Sequence, residues 1–223
     1  MKKLAGSVIV LIVLAAGYFA WTAFHVPTTV ERKVEGHTLI SPELPAASFR
    51  FADGLPYLGG QRFALYVHTD AEQHFFVDAD PQGQIRRLYW MQFEHKLPGN
   101  DGRYIYTTTR TAQIGGLSFL YDTKIYTDYA GLKAAPGSDV EKARALLAAH
   151  GLHLPRTAMR TRMFHPPTKD GRSELMMIYV EALPPDEMPK DAVNEMAADD
   201  KYPALSQSLF QHAQQSLNIL PAR

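Results

Sequence analysis

Two histidines flank a polar run in a stretch that otherwise alternates apolar and polar residues: His68 and His74, on either side of Asp70-Ala71-Glu72-Gln73. Alternation at period two reads as two strands, and the polar run reads as the turn between them. A hairpin pivoting at Ala71 sets Val67 against Phe75 and Leu65 against Val77, forming one apolar face. On the opposite face His68 and His74 become cross-strand neighbours, with Tyr66, Phe76 and Asp78 extending that face. Two imidazoles with a carboxylate from Asp78 or Glu72 are a ligand set for a divalent metal. One imidazole can also act as a general base. No fixed-spacing signature of the HExxH kind accompanies them, so two exposed histidines beside a turn are the plainer reading.

A second group is basic. Arg160 and Arg162 share one face of a strand whose other face carries Met159, Thr161 and Met163. Arginine forks suit carboxylate and phosphate groups. If Arg160, Arg162 and a strand tyrosine such as Tyr66 line a cavity, they would hold a small amphipathic, anionic ligand. The competing reading is a solvated strand face balanced by acids. Glu94 and His95 are adjacent in a strand, point to opposite faces and cannot act on one ligand. Aromatic residues crowd the strands, Trp90, Phe93, Tyr121 and Tyr126 among them. They suit an apolar pocket, but the strand preference for such side chains already accounts for them as core.

Several chemistries are excluded. The absence of cysteine removes disulfides, thiolate metal sites and a thiol nucleophile. Equal numbers of basic and acidic side chains, 23 each, argue against nucleic acid as a partner. Ser118, in Gly116-Leu117-Ser118-Phe119-Leu120, lacks the second glycine of a nucleophile elbow. No phosphate loop is present, and no cofactor is implied.

The elements that must position these residues follow from pattern and punctuation. Lys2 and Lys3 precede an uncharged run from Leu4 to Phe24, long enough at 1.5 Å per residue to cross a bilayer core of about 30 Å. This predicts a retained transmembrane helix over 1–24, a partnership with the lipid bilayer through Leu4–Phe24, and a single-pass protein of the inner membrane. A Pro-punctuated tether over 25–47 and an extracytoplasmic α+β domain over 48–223 follow. Within the domain, about seven strands joined by short turns predict a curved, mostly antiparallel sheet. Ser138 and Glu141 form a capping box opening a helix, and Gly151 closes it. A short helix is expected near Asp191–Ala197, and another over Ala204–Ile219 with Leu205, Leu209, Phe210, Ala213 and Leu217 on one stripe. The fold expected is therefore α+β, with two amphipathic helices on one face of the sheet.

Function stays open between classes. The first reading is an anchored domain that binds a small apolar or anionic ligand, or an envelope protein, without catalysis. The second is a metal-dependent or His-assisted hydrolase using His68, His74 and Asp78. The third is a membrane assembly or scaffold protein.

Overall fold

The computed structural model describes residues 26–221. The described part is mostly β, with 43% of its residues in strands and 12% in helices. Among the described residues twelve strands form two antiparallel sheets. The larger has eight strands: β4 (Tyr57–Leu65), β5 (Thr69–Ala79), β6 (Ile85–Lys96), β7 (Thr111–Ile114), β8 (Leu117–Tyr126), β9 (Ala158–His165), β10 (Ser173–Ala182) and β11 (Met196–Ala197). Their spatial order is β11-β8-β9-β10-β6-β5-β4, and β7 shares the outer edge of β8 with β11. The smaller sheet runs β1-β2-β3-β12, built from β1 (Lys33–Glu35), β2 (Thr38–Ser41), β3 (Ala47–Phe51) and β12 (Leu217–Pro221).

Among the described residues two helices complete the fold, α1 (Asp139–Ala149) and α2 (Pro203–Gln215). They lie on opposite faces of the large sheet, which corrects the expectation of one covered face. The central strands are apolar at successive positions, Leu88–Met91 and Leu175–Val180, so both faces of the sheet are apolar and two covers are needed. One face, with Phe76, Tyr89, Met91, Met163 and Met177, packs on the small sheet through Leu39, Phe49, Phe51 and Ile219, and on Leu209 and Ala213 of α2. The other face, with Phe75, Leu88, Trp90, Ile178 and Val180, packs on Ala143 and Leu147 of α1. The α+β expectation thus becomes a two-sheet, mostly β architecture.

The start of α1 is capped as expected on one side only. Ser138 Oγ accepts from the Glu141 N–H at 3.1 Å, but the Glu141 carboxylate accepts from the N–H of Gly137. At the other end Gly151 sits at φ +69°, and the N–H groups of Gly151 and Leu152 donate to Ala148 and Leu147, which satisfies the last turn. The second helix ends earlier than its stripe suggests. Ser216 Oγ donates to the His212 carbonyl at 2.7 Å, and burial then alternates: Leu217 and Ile219 are buried while Leu220 is exposed. That alternation makes a strand paired with β3, from Leu217–Phe51 to Pro221–Ala47. The short helix expected near Asp191–Ala197 is not formed; Met196–Ala197 instead add a two-residue strand to the edge of β8.

The membrane reading is also corrected. Among the described residues no helix is long and apolar enough to cross a membrane. Helix α2, the longer of the two at 13 residues, spans roughly 20 Å against a bilayer core of about 30 Å. The run Leu4–Phe24 lies outside the described residues. The transmembrane anchor, the inner-membrane location and the extracytoplasmic placement of the body therefore drop out of the functional reading.

Candidate functional site

The first hairpin turns four residues earlier than its polar run suggests. Leu65 pairs with Thr69 and Phe63 with Ala71, so the turn is centred on Val67. His74 consequently faces Gly60, and His68 lies exposed in the turn. Asp78 is at the far end of β5, roughly 30 Å from His68 along the strand. It is held by Arg86 and by a two-point contact from Arg87, Nε at 3.0 Å and Nη2 at 2.8 Å. The structure does not bring His68, His74 and Asp78 together. Among the described residues no group of three acidic or histidine side chains is placed to hold a metal.

His74 belongs to a different network. It is fully buried, donates from Nε2 to Glu72 at 2.7 Å, and meets the Tyr57 hydroxyl at Nδ1 at 3.0 Å. Glu72 also accepts the backbone N–H groups of Glu31 and Arg32, both at 2.9 Å, and lies 3.4 Å from the Arg32 guanidinium. That guanidinium stacks 3.7 Å over the Phe93 ring. Burial works against the Glu72 charge, but the His74 bond, the two backbone donors and Arg32 outweigh it and hold the carboxyl at about 2. Burial first, and then the Glu72 charge, push the Tyr57 hydroxyl up to about 12. A cleft of about 220 Å³ opens beside this network. Its charges answer one another: Arg62 forks onto Asp70 and reaches Glu31, and Arg32 reaches Glu72. The arrangement fastens residues 31–32 to the large sheet, and its polar groups are already committed.

The opposite face of the sheet holds a more open chemistry. Between α1 and strands β6, β10 and β9 lies a cavity of about 200 Å³. Its wall is chiefly apolar, from Leu88, Trp90, Met176, Ile178, Leu147 and Leu154. Register explains the placement. Trp90 pairs with Ile178, and Ile178 with Arg162, so these three form one row across the sheet. The next row is Leu88, Val180 and Arg160. Arg160 and Arg162, read from the sequence as one face of a strand, thus share this wall, joined by Arg144 of α1 and by Asp139. Tyr66 does not join them. It is 53% exposed at the tip of the first hairpin, and β4 is four strands away from β9.

Polar groups at this cavity are incompletely answered. Trp90 is 5% exposed, yet its indole N–H has no acceptor among the described residues. The same holds for Arg160 Nε and Arg144 Nε on this wall, and for the hydroxyl of Tyr126, whose ring centre lies 5.1 Å from the Arg160 guanidinium. Burial, ahead of any charge, raises the Tyr126 and Tyr129 hydroxyls, so both remain neutral donors. Buried polar groups are normally satisfied, and orphans clustered at one cavity set it apart from the rest of the core.

Beyond the cavity, one step past the Met176–Gln92 pair, the β6–β10 ladder carries acids. Glu94 and Glu174 are cross-strand partners, 8% and 5% exposed. The Tyr104 hydroxyl donates to Glu94 at 2.6 Å, and Gln92 donates to its other oxygen. Gln73 bridges Gln92 at 2.8 Å and the Asp139 carbonyl at 3.1 Å, which ties β5 and β6 to the start of α1. Burial, then the Glu94 charge, push Glu174 up to about 7, and burial likewise raises Glu94.

Sequence reasoning weighed Trp90 as a pocket residue but favoured core, and missed Arg144 and the acid pair. Trp90 looks like any strand aromatic. The Glu94–Glu174 pair depends on a register between two strands 80 residues apart. The chain matches no protein-family model, no curated protein and no solved structure.

Proposed function

We propose that this chain is a binding protein that takes up a small, largely apolar molecule in the cavity between α1 and the large sheet. The observation that carries this reading is Trp90: a buried indole whose N–H finds no acceptor among the described residues, on the wall of a cavity large enough for a guest. An unanswered buried donor costs about 1–3 kcal/mol, which a ligand acceptor would recover. A wall of Leu, Ile and Met with a few convergent polar groups is the usual composition of a small-molecule site. The volume suits a guest of one aromatic ring, since a cavity of about 150 Å³ accepts benzene.

Trp90 is also the reporter for the test. In the full-length Trp21→Phe chain its emission is the only indole signal. Titration with benzyl alcohol should change that emission saturably, with a Kd of about 1 mM or below, which is about −4 kcal/mol. Ala143→Phe, which fills the cavity from α1, should remove the response while the far-ultraviolet circular dichroism stays unchanged. A natively folded parent that shows no saturable response overturns the reading.

A further inference from the structure

We infer that the ligand of this cavity is a small monocarboxylate whose head group is bound by Arg160, an assignment that rests on the cavity being a ligand site. Three guanidinium groups reach the cavity, and their commitments differ. Arg162 is forked onto Asp122, Nε to Oδ1 at 3.1 Å and Nη2 to Oδ2 at 2.6 Å, so its charge is neutralised. Arg144 donates from Nη1 to the Leu132 carbonyl at 2.5 Å and from Nη2 to the Tyr129 carbonyl at 3.1 Å, which holds the loop ahead of α1. Arg160 has no carboxylate within ion-pair distance among the described residues. Its guanidinium lies 5.1 Å from the centre of the Tyr126 ring, and its Nε has no acceptor. Arg144 lacks an anion too, but both its Nη groups are committed to carbonyls; among the described residues Arg160 is the cation of this wall with neither an anion nor a carbonyl bonded to its guanidinium.

The identity of the anion follows from charge and space. A phosphate monoester carries about two negative charges near neutral pH. Asp139 on the cavity wall, Asp122 behind Arg162 and the Glu94–Glu174 pair beyond Met176 all oppose a second negative charge there. A carboxylate brings one charge, and its two oxygens match the fork of a guanidinium. Arg160 sits in the row of Leu88 and Val180, next to the row of Trp90 and Ile178, so a head group on Arg160 leaves its apolar body against these side chains. With about 200 Å³ available, that body is one ring or a short branched chain. Benzoate has this shape; benzamide is its uncharged counterpart.

The test compares benzoate, benzamide, benzyl alcohol and phenyl phosphate on the full-length Trp21→Phe chain, read by Trp90 emission and by calorimetry at low and high salt. Benzoate should bind at least about tenfold tighter than benzamide. Arg160→Met should erase that preference while benzamide binding persists, and Arg160→Lys should restore part of it. Equal binding of benzoate and benzamide to the parent overturns the assignment even if a variant fails to fold, because that comparison needs no variant. Preference for phenyl phosphate overturns the carboxylate class. If benzyl alcohol binds and benzoate does not, the head-group assignment falls and the apolar cavity stands; if none of the four binds, both fall.

Discussion

Glu94 and Glu174 face one another across the β6–β10 ladder, both buried, with no arginine or lysine among the described residues bonded to either. Two carboxylates so placed cannot both ionise cheaply. The folded chain therefore holds Glu174 as the acid up to about pH 7, against an ordinary 4.5. Between those values the folded state binds more protons than the unfolded one, so stability falls as the pH rises. The loss amounts to about 3 kcal/mol, complete above pH 7. Glu174→Gln should be the more stable protein at pH 8 and should lack most of this decline, as measured by urea unfolding at a series of pH values. A variant that declines as steeply as the parent would show that the Glu174 carboxyl ionises freely.

Glu72 carries the opposite dependence. Its folded carboxyl titrates near 2, so its contribution is fully present above the ordinary 4.5 and is lost as the pH falls towards 2. Combined with Glu174, this puts maximum stability near pH 4–5. Glu72→Gln should cost about 3–5 kcal/mol, because it leaves the Arg32 guanidinium buried and unpaired. The variant should flatten the acid limb, and limited proteolysis should cut first among residues 26–43.

The first hairpin turns through Tyr66 and Val67, both left-handed at φ +48° and +57°, with the His68 N–H donating to the Leu65 carbonyl at 3.1 Å. A bulky and a β-branched side chain in this conformation each cost about 1–2 kcal/mol. Tyr66→Asn with Val67→Gly supplies the residues this turn favours. The double variant should gain about 1–2 kcal/mol in chemical denaturation, with the cavity untouched. No gain would mean the tip is held by its neighbours and not strained.

Gly115 is the point where the β7–β8 turn meets β12. A Cβ there, at φ +56°, would stand 2.3 Å from the Ile219 carbonyl oxygen. Gly115→Ala should cost about 2–4 kcal/mol, combining the left-handed backbone with a clash against backbone that cannot yield. Gly99, at φ +85° but facing open space, is the control: Gly99→Ala should cost only about 1–2 kcal/mol. Equal losses in thermal melts would remove the contact with β12 as the cause.

Local rules were legible in the residues, and long-range ones were not. Alternation marked the second half of β5 and the faces of β9, and Ser138 and Gly151 marked both ends of α1. Strand parity put Arg160 and Arg162 on one face before any register was known. The turn at Tyr66-Val67 was hidden because neither is a turn residue and a better polar run lies just beyond. His68 and His74 were therefore paired wrongly, and Tyr66 was assigned to a ligand it cannot reach. The small sheet was unreadable because its short strands come from both ends of the described chain. The orphan N–H of Trp90 is a property of packing, with no counterpart in composition.

Strand β12 completes a sheet begun by residues 33–51, and Ile219 fills the core between Phe49 and the large sheet. On the ribosome, β1, β2 and β3 emerge long before their last partner is made. Until residues 217–221 clear the exit tunnel, the buried edge of β3 and the aromatic layer beneath it have nothing to close them. The nascent chain must therefore carry this apolar layer uncovered until residues 217–221 arrive, an interval in which it is prone to aggregate.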